Sequence, residues 1–177
     1  MPPLSEETLQ PVDSVSVPSP GALALPAAGS NRRARPAGPP RALQVAGVAL
    51  PDAVIRNVSD TVAGGHDAAA SLLEQHPDLT AIFCTNDLMA YGASQALADR
   101  GIRIPQDISL VGVTDIQLAK DMRPALTTVA LGIEQVATIS INLLLDLIEN
   151  PAHEPTIVQV PDPVLVVRSS TGPVRSV

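Results

Sequence analysis

The sequence predicts an open α/β fold, in which helices cover both faces of a parallel sheet. Short apolar runs alternate with longer segments of helical period. The short runs are apolar throughout rather than at every second residue, as expected for strands buried on both faces. Small polar clusters, Thr85–Asp87 and Thr114–Asp115, directly follow two of these runs. Open parallel sheets bind ligands at such strand ends, so both clusters are candidate site positions.

The first predicted elements follow Gly47. The run AVIRNV (53–58) is a strand candidate, and the helix after it has Asp60 or Thr61 as its N-cap. Pro77 ends this helix, because proline breaks a helix interior. The run TAIFC (80–84) then predicts a buried strand.

A second helix is expected after this strand, in the segment NDLMAYGASQALADRG. Asn86 or Asp87 is its candidate N-cap, and Gly101 falls at the C′ position that favours glycine. The run DISLVGV (107–113) predicts the next buried strand. A polar, irregular stretch that contains a proline follows, and TTV (127–129) resumes a strand pattern.

The last elements are a long helix and two short strands. Apolar residues recur with a helical period through 132–149, and Pro151 ends the helix. The runs TIVQV (156–160) and VLVVR (164–168) are the final strand candidates.

Prolines divide the chain into two parts. Nine of the 18 prolines fall in residues 1–40, which also lack aromatic residues and a sustained period. We therefore expect 1–40 to be a proline-rich, disordered head and 41–177 to be the folded domain. Arg35 belongs to a basic run, NRRAR, in this head, which is interpreted first as a solvated patch.

Composition argues against several classes of protein. The net charge is −7 and Lys120 is the single lysine, which disfavours binding to a nucleic-acid backbone by this chain. The single cysteine, Cys84, rules out an internal disulfide, fits a reducing compartment, and is expected to be a buried, inert thiol. No signal-peptide pattern or run of about 18 apolar residues is present, so a cytoplasmic location without membrane contact is expected.

Metal, cofactor and catalytic patterns are not recognisable. His66, His76 and His153 lack metal-ligand spacing with one another and with Cys84, so no metal site is expected. There is no P-loop, dinucleotide fingerprint or serine-histidine-aspartate grouping, so no cofactor and no enzymatic activity are expected.

The segment from Thr80 to Val129 closely resembles the sensor domain of LacI/GalR-type transcriptional regulators. The resemblance rests on a strand ending in Asn-Asp, on GIRIPQDISLVGVTD, on the later PALTTV, and on the closing VLVVRSSTGP. It extends from about Leu43 to Pro173. It implies a type I periplasmic-binding-protein-like fold, incomplete here, with the second lobe, the crossing segment and one helix of the first lobe. That helix, 132–149, would then have an apolar face that is exposed or repacked.

The resemblance implies four effector-binding residues. Asn86 matches a ligand-contacting asparagine, whose amide suits a sugar hydroxyl, although a plain helix N-cap is equally open. Thr114 stands where the family has its first crevice aspartate. Arg35 aligns with a ligand-gripping arginine, and Asp60 falls near a position that is often an aromatic stacking platform.

The resemblance also implies structural and dimer positions. Asp115 keeps the second crevice aspartate, and with Gly112 and Pro124 it belongs to the stretch where the chain crosses between lobes. Such a crossing lets a ligand held between lobes change their relative angle. Tyr91 and Met122 match positions that face the partner subunit, so a weak homodimer is expected.

Four functions remain open at this stage. The first is a LacI-type regulator with a sugar or nucleoside-like effector, although no helix-turn-helix for DNA contact is recognisable in this chain. The second is a transport-type sugar-binding protein of the same fold. The third is a small α/β enzyme that uses Asp87 and Asp115, and the fourth is a truncated remnant without activity.

Overall fold

The computed structural model describes residues 54–150 and 157–173 in full, and residues 22–26 by their backbone. The strands are β1 (Ala22–Pro26), β2 (Ile55–Val58), β3 (Ala81–Cys84), β4 (Ser109–Thr114), β5 (Thr127–Ala130) and β6 (Val164–Val166). The helices are α1 (Val62–Gln75), α2 (Asp87–Asp99), α3 (Gln117–Asp121) and α4 (Ile133–Glu149).

The strands form one open sheet in the order β2-β1-β3-β4-β5-β6. The first five are parallel to their neighbours, whereas β6 runs antiparallel to β5, with Val129 opposite Leu165. The predicted open α/β fold is confirmed, with a mixed rather than purely parallel sheet. A run of apolar residues does not reveal strand direction. The sequence therefore could not show that the last strand is antiparallel.

Strand β1 corrects the expectation for part of the proline-rich head. Ala22–Pro26 pairs with β2 on one side and β3 on the other, so these residues lie inside the sheet. The sequence ALALP is a short apolar run that ends at a proline, which is a strand pattern rather than a disordered one. The rest of the predicted head, 1–21 and 27–40, lies outside the described residues.

A second correction concerns TIVQV near the end of the chain. Residues 157–160 are exposed and form no strand, and Thr156 lies outside the described residues. Pro161 and Pro163 follow at once. A proline cannot donate a hydrogen bond to a neighbouring strand, so pairing resumes only at β6.

The helix ends follow the predicted signals. Thr61 caps α1, and its hydroxyl accepts a 3.0 Å hydrogen bond from the Gly64 amide. Asn86 caps α2, and its side-chain oxygen accepts from the Met89 amide at 2.8 Å. Gly101 follows the last turn of α2 with φ of +66°, the left-handed conformation that glycine adopts freely.

Helices α1 and α2 approach each other closely at glycines. A Cβ atom added to Gly65 would overlap the Met89 carbonyl oxygen, and one added to Gly92 would overlap the Val62 carbonyl oxygen. Neither clash could be relieved by a side-chain rotation, because both involve backbone atoms. The two helices form one layer over a core of small and aliphatic side chains that includes Leu72, Ile82, Met89, Ala93, Leu97, Leu110 and Leu126.

Helix α4 differs from the other long helices because none of its residues is buried. Its large exposed apolar residues are Ile133, Ile141, Leu144, Leu145, Leu147 and Ile148. The structure thus confirms the expected exposure of the apolar face of 132–149. No helix in the described ranges is long and apolar enough to span a membrane.

Candidate functional site

A cleft opens at the carboxyl ends of β4 and β5, between α3 and the first turn of α4. Its volume is about 520 Å³. The lining residues are Thr114, Asp115, Ile116, Gln117, Lys120, Ala130, Gly132, Ile133, Glu134 and Gln135. Hydroxyl, amide and charged groups alternate with aliphatic surface in this set, so the cleft can exchange hydrogen bonds with a small polar ligand.

The carboxylate of Asp87 links the strand ends beside this cleft, although it does not line the cleft itself. It is fully buried at the start of α2. One oxygen accepts from the Thr128 hydroxyl at 2.6 Å, and the other accepts from the Thr114 hydroxyl at 3.2 Å and the Ile116 amide at 3.0 Å. A helix N-terminus favours negative charge, so α2 helps to compensate this buried carboxylate. Asp87 thereby ties α2 to the ends of β4 and β5.

Gly112 makes the approach of Asp87 possible. A Cβ atom at position 112 would overlap a carboxylate oxygen of Asp87 and would crowd the Leu126 side chain at 2.8 Å. The glycine is thus needed for close packing beneath the strand end rather than for an unusual backbone conformation. The resemblance places Gly112 in the crossing stretch between lobes, and this close contact is the structural constraint observed there.

We refer to Thr114–Gln117 as the cleft lip, because it forms one wall of the cleft. Its first two residues have unusual backbone conformations, with φ of 121° at Thr114 and 55° at Asp115. A β-branched residue at positive φ is disfavoured by sterics, and such strain persists where surrounding contacts enforce it. The lip is therefore held in place by its neighbours rather than by local preference.

Asp115 is held by an arginine that sequence reasoning missed. The Arg168 guanidinium donates to a carboxylate oxygen of Asp115 at 2.6 Å, and the two side chains are 15% and 16% exposed. Arg168 lies in the segment after β6. The other predicted structural residue, Pro124, lies between α3 and β5 at the far end of this crossing stretch. No motif marked Arg168, because its partner lies 53 residues earlier in the chain.

The structure brings only some of the predicted ligand residues to the cleft. Thr114 lines it, and Asn86 lies two residues after the neighbouring strand β3 with its side-chain oxygen engaged in capping. Asp60 is exposed after β2, three strand positions from β4, which corresponds to roughly 14 Å at the usual strand spacing. Asp60 is not among the lining residues of this cleft. Arg35 lies outside the described residues.

Four polar lining residues were not predicted: Gln117, Lys120, Glu134 and Gln135. A signal was available for them. Parallel strands present their carboxyl ends at one edge, so the residues after β5 belong to the same candidate region as those after β3 and β4. The sequence LGIEQ follows β5 directly and contains Glu134 and Gln135.

The geometry disfavours an enzyme built on Asp87 and Asp115. The first carboxylate is buried and accepts three hydrogen bonds, and the second is paired with Arg168. Neither is free to move a proton or to bind a cation at the cleft. Among the described residues, no three histidine, cysteine or acidic side chains are grouped as a metal site.

Cys84 is buried at the end of β3, as the sequence suggested. Burial raises the pKa of its thiol to about 12, and the nearby negative charge of Asp87 adds to the shift. The thiol is therefore a poor nucleophile at neutral pH.

The two predicted dimer residues have different surroundings. Tyr91 is half-buried on α2 and packs partly against the core. Met122, at the end of α3, is only 6% exposed and belongs to the core. Met122 therefore has little surface to offer a partner, which differs from the expectation. It is buried because α3 packs against α2, and Ala119 and Met122 both belong to the core.

A family model described as a periplasmic binding protein-like domain matches residues 23–171. This match covers most of the chain and begins inside β1. The chain belongs to the periplasmic binding protein-like domain family. The matched range includes both the cleft and the Asp115–Arg168 pair.

Several similar proteins are transcriptional regulators. The HTH-type transcriptional repressor PurR of Escherichia coli O1:K1 / APEC is 36% identical over 143 residues, which is 80% of this chain and 42% of the repressor. The chain thus spans less than half the length of this relative. PurR proteins from other Escherichia coli strains are equally similar.

Solved structures of LacI-type regulators share the fold. A LacI family regulator from Enterococcus faecium with bound ribose is 30% identical, with a TM-score of 0.78 over 87% of this chain and 58% of that chain. A CelR–cellobiose complex is 30% identical, with a TM-score of 0.74 over 83% and 46% of the two chains. A regulator from Escherichia coli complexed with phosphate is 29% identical, with a TM-score of 0.73 over 84% and 53%.

These comparisons confirm the resemblance found in the sequence. The chain carries the C-terminal part of a LacI-type sensor domain. At the level of the family, the similar proteins are transcriptional regulators rather than enzymes.

Proposed function

We propose that this chain senses a small effector, such as a sugar or a nucleoside-like molecule, for a LacI-type transcriptional regulator. The effector occupies the cleft at the ends of β4 and β5, and its binding controls DNA binding in the cytoplasm. DNA contact is made by a helix-turn-helix that is not recognisable in this sequence. The observation that carries the proposal is the polar cleft itself, lined by strand-end residues of a sensor fold.

Polar side chains around the cleft support a hydroxyl-rich ligand. Gln117 and Gln135 lie on its two walls, and an amide both donates and accepts hydrogen bonds, as sugar hydroxyls do. In the proposal, Thr114 and Asn86 also contact the effector. Arg35 and Asp60 are assigned to the same role by resemblance, Asp60 from a more distant strand end.

The ligands of similar proteins favour a sugar. Ribose is bound in one structural relative and cellobiose in another, whereas a third is complexed with phosphate. A monosaccharide and a disaccharide both present the ring hydroxyls that the cleft amides can recognise.

Calorimetric titration of the protein with ribose, and separately with cellobiose, tests this proposal. We expect saturable binding of at least one sugar, weakened by Gln135→Ala because the wall of the cleft loses an amide. Gln95→Ala, on an exposed position of α2 away from the cleft, is the matched control and should leave the affinity unchanged. Absence of heat with both sugars, or equal loss in both variants, would remove support for a sugar effector at this cleft.

The part of the proposal that concerns DNA has its own test. The chain is acidic, with a net charge of −7, and phosphate contacts require clustered positive charge. This chain alone should therefore show no sequence-selective binding to duplex DNA in a mobility-shift experiment at physiological salt. A selective shift would contradict the assignment of DNA contact to a separate region.

We also infer a weak homodimer formed through α2. Tyr91 is half-buried and Leu88, one turn earlier, is 40% exposed, and tyrosine is enriched in interface cores. A carboxylate placed in such a contact without a partner would cost about 2 kcal/mol or more. Sedimentation equilibrium should show a dimer for the wild type and a monomer for Tyr91→Asp. A wild type that stays monomeric at high concentration would contradict the inference.

A further inference from the structure

The cleft lip is anchored from two independent directions. The first anchor is Asp87, which accepts hydrogen bonds from the Thr114 hydroxyl and the Ile116 amide. The second anchor is Arg168, which pairs with Asp115. Both anchors converge on a segment whose first two residues, Thr114 and Asp115, have positive φ. Since strained backbone persists where contacts enforce it, the lip conformation depends on these anchors.

Arg168 is itself fixed to β5. Its guanidinium donates to the Leu126 carbonyl oxygen at 2.8 Å and to Asp115 at 2.6 Å. Its backbone amide donates to the Thr127 hydroxyl at 2.9 Å. A planar guanidinium that bridges two fixed acceptors sets the position of each relative to the other. Arg168 therefore fixes the lip to the start of β5 and to the segment that follows β6.

Arg168 is not among the side chains that line the cleft, whereas its partner Asp115 is. We propose that Arg168 is a positioning residue for effector binding, which acts through Asp115 by holding the cleft lip in its strained, ligand-competent conformation. The proposal rests on the proposed function of the cleft, because positioning matters only if the cleft binds an effector.

Loss of Arg168 would act on the population of the competent conformation. Asp115 would be left poorly solvated and without its partner, and the lip could relax toward an ordinary backbone conformation. The apparent dissociation constant rises in inverse proportion to the fraction of molecules that are competent. If that fraction falls to about one tenth, the apparent affinity falls about tenfold.

Hydrogen exchange on the ligand-free protein gives the first test. Arg168→Met should speed exchange of the Ile116 amide about tenfold relative to the Ala93 amide in the interior of α2, which serves as an internal reference. Arg103→Met is the matched control. Arg103 forms an ion pair with Asp107 at 2.8 Å near the amino end of β4, away from the cleft. An unchanged exchange ratio in Arg168→Met, or an equal change in Arg103→Met, would overturn the proposal.

Ribose binding gives the second test, and it distinguishes positioning from a merely structural role. Arg168→Met should raise the dissociation constant for ribose about tenfold. Arg168→Lys keeps the positive charge but not the planar guanidinium that bridges two acceptors, so it should recover part of the affinity. Arg103→Met should bind ribose like the wild type. An unchanged affinity in Arg168→Met with a faster-exchanging lip would overturn the positioning role.

The two tests separate this proposal from the proposed function. A wild type that binds no ribose counts against a ribose effector. In that case the ratio of the Ile116 and Ala93 exchange rates alone decides whether Arg168 positions the lip. If Arg168→Met does not fold, Asp115→Asn removes the charge of the pair from the other side. It should produce the same selective acceleration at Ile116, and an unchanged ratio there would overturn the proposal.

Discussion

Helices α2 and α4 are both amphipathic, yet the apolar residues of α2 are buried whereas those of α4 are exposed. In α2, Met89, Ala93 and Leu97 are fully buried against α1 and the sheet. In α4, no residue is buried, and Leu144 and Ile148 are 53% and 64% exposed. The comparison shows that an apolar stripe specifies a helix but not whether a partner element is available to cover it.

The same difference extends to the ends of the two helices. Helix α2 has Asn86 as a side-chain cap and Asp87 as a buried anchor, whereas the N-cap of α4 is Gly132, which forms no side-chain cap. Most helical stability in proteins comes from tertiary packing. Substitutions in α2 should therefore lower the free energy of unfolding substantially, whereas equivalent substitutions in α4 should change it little.

The largest effect is expected at Asp87, with the first-turn acid of α4, Glu134, as the matched control. Asp87→Ala leaves the buried Thr128 hydroxyl and the half-buried donors of Thr114 and Ile116 without their acceptor, at a cost of about 3 kcal/mol or more. Glu134→Ala removes an exposed side chain and should change stability by about 0.5 kcal/mol or less. Chemical denaturation measures both, and comparable losses would remove the distinction between the two helices.

A matched pair of leucines should show the next largest contrast. Leu97→Ala in α2 opens a cavity in the core and should cost about 2–5 kcal/mol. Leu144→Ala in α4 removes a side chain that is already 53% exposed and should cost less than about 1 kcal/mol. The measurement is again the free energy of unfolding. A loss at Leu144 as large as that at Leu97 would mean that α4 is covered in solution.

Gly92 tests how closely α1 and α2 depend on each other. Gly92→Ala places a Cβ against the Val62 carbonyl oxygen, so the helices must separate despite the better helix propensity of alanine. We expect a net loss of about 1–3 kcal/mol. Gln95→Ala, on the exposed side of the same helix, should be neutral. A Gly92→Ala variant that is more stable than the wild type would show that the contact can relax without cost.

Sequence patterns predicted those parts of the molecule that depend on local chemistry. The C′ glycine at Gly101 was predicted, and Thr61 and Asn86 were each one of two predicted N-cap candidates, because these features involve residues within a few positions of one another. Strand β1 was missed because prolines around Ala22–Pro26 outweighed its short apolar run. Composition over a long window is a poor guide to a strand that is stabilised by neighbours far along the chain.

The candidate site was only half predictable for a related reason. Thr114 and Asp115 follow a strand directly, so their position at the cleft could be inferred. The anchor Arg168 and the buried arrangement of Asp87 depend on contacts between segments 53 and 27 residues apart. Neither spacing corresponds to a helical or strand period, so no sequence pattern could reveal them.

Substitutions on the exposed face of α4 should affect self-association beyond the α2 dimer more than they affect stability. Ile141→Lys combined with Ile148→Lys adds charge to a face where these residues are 56% and 64% exposed. We expect weaker concentration-dependent association by light scattering and a change in unfolding free energy of about 0.5 kcal/mol or less. Ser140→Lys, at an exposed polar position of the same helix, should leave association unchanged. A strongly destabilised double variant would instead indicate that this face is packed.

The smallest expected effect is a pH dependence of stability, and it arises where α1 contacts α2. His66 on α1 contacts Asp67 at 3.1 Å and Asp99 of α2 at 3.3 Å. Hydrogen bonds to Asp67 and then to Asp99 raise the pKa of His66 above its usual value of 6.5. The folded chain therefore holds this proton more tightly than the unfolded chain. The resulting stabilisation is fully present below pH 6.5 and disappears as the pH rises through the folded pKa.

The free energy of unfolding of the wild type should accordingly fall slightly between pH 6 and pH 8. In Asp99→Asn the fall should be smaller. Replacing Asp99 removes one acceptor that favours the imidazolium, so the pKa of His66 moves back toward its usual range. An NMR titration of the His66 ring measures the pKa directly, and thermal unfolding at the two pH values measures its consequence. Because the site is exposed, salt should reduce the effect. A His66 pKa at or below the usual value in the wild type would show that these contacts do not hold the proton in solution. The α1–α2 pairing would then rest on packing and on the ion pair between Glu74 and Arg100.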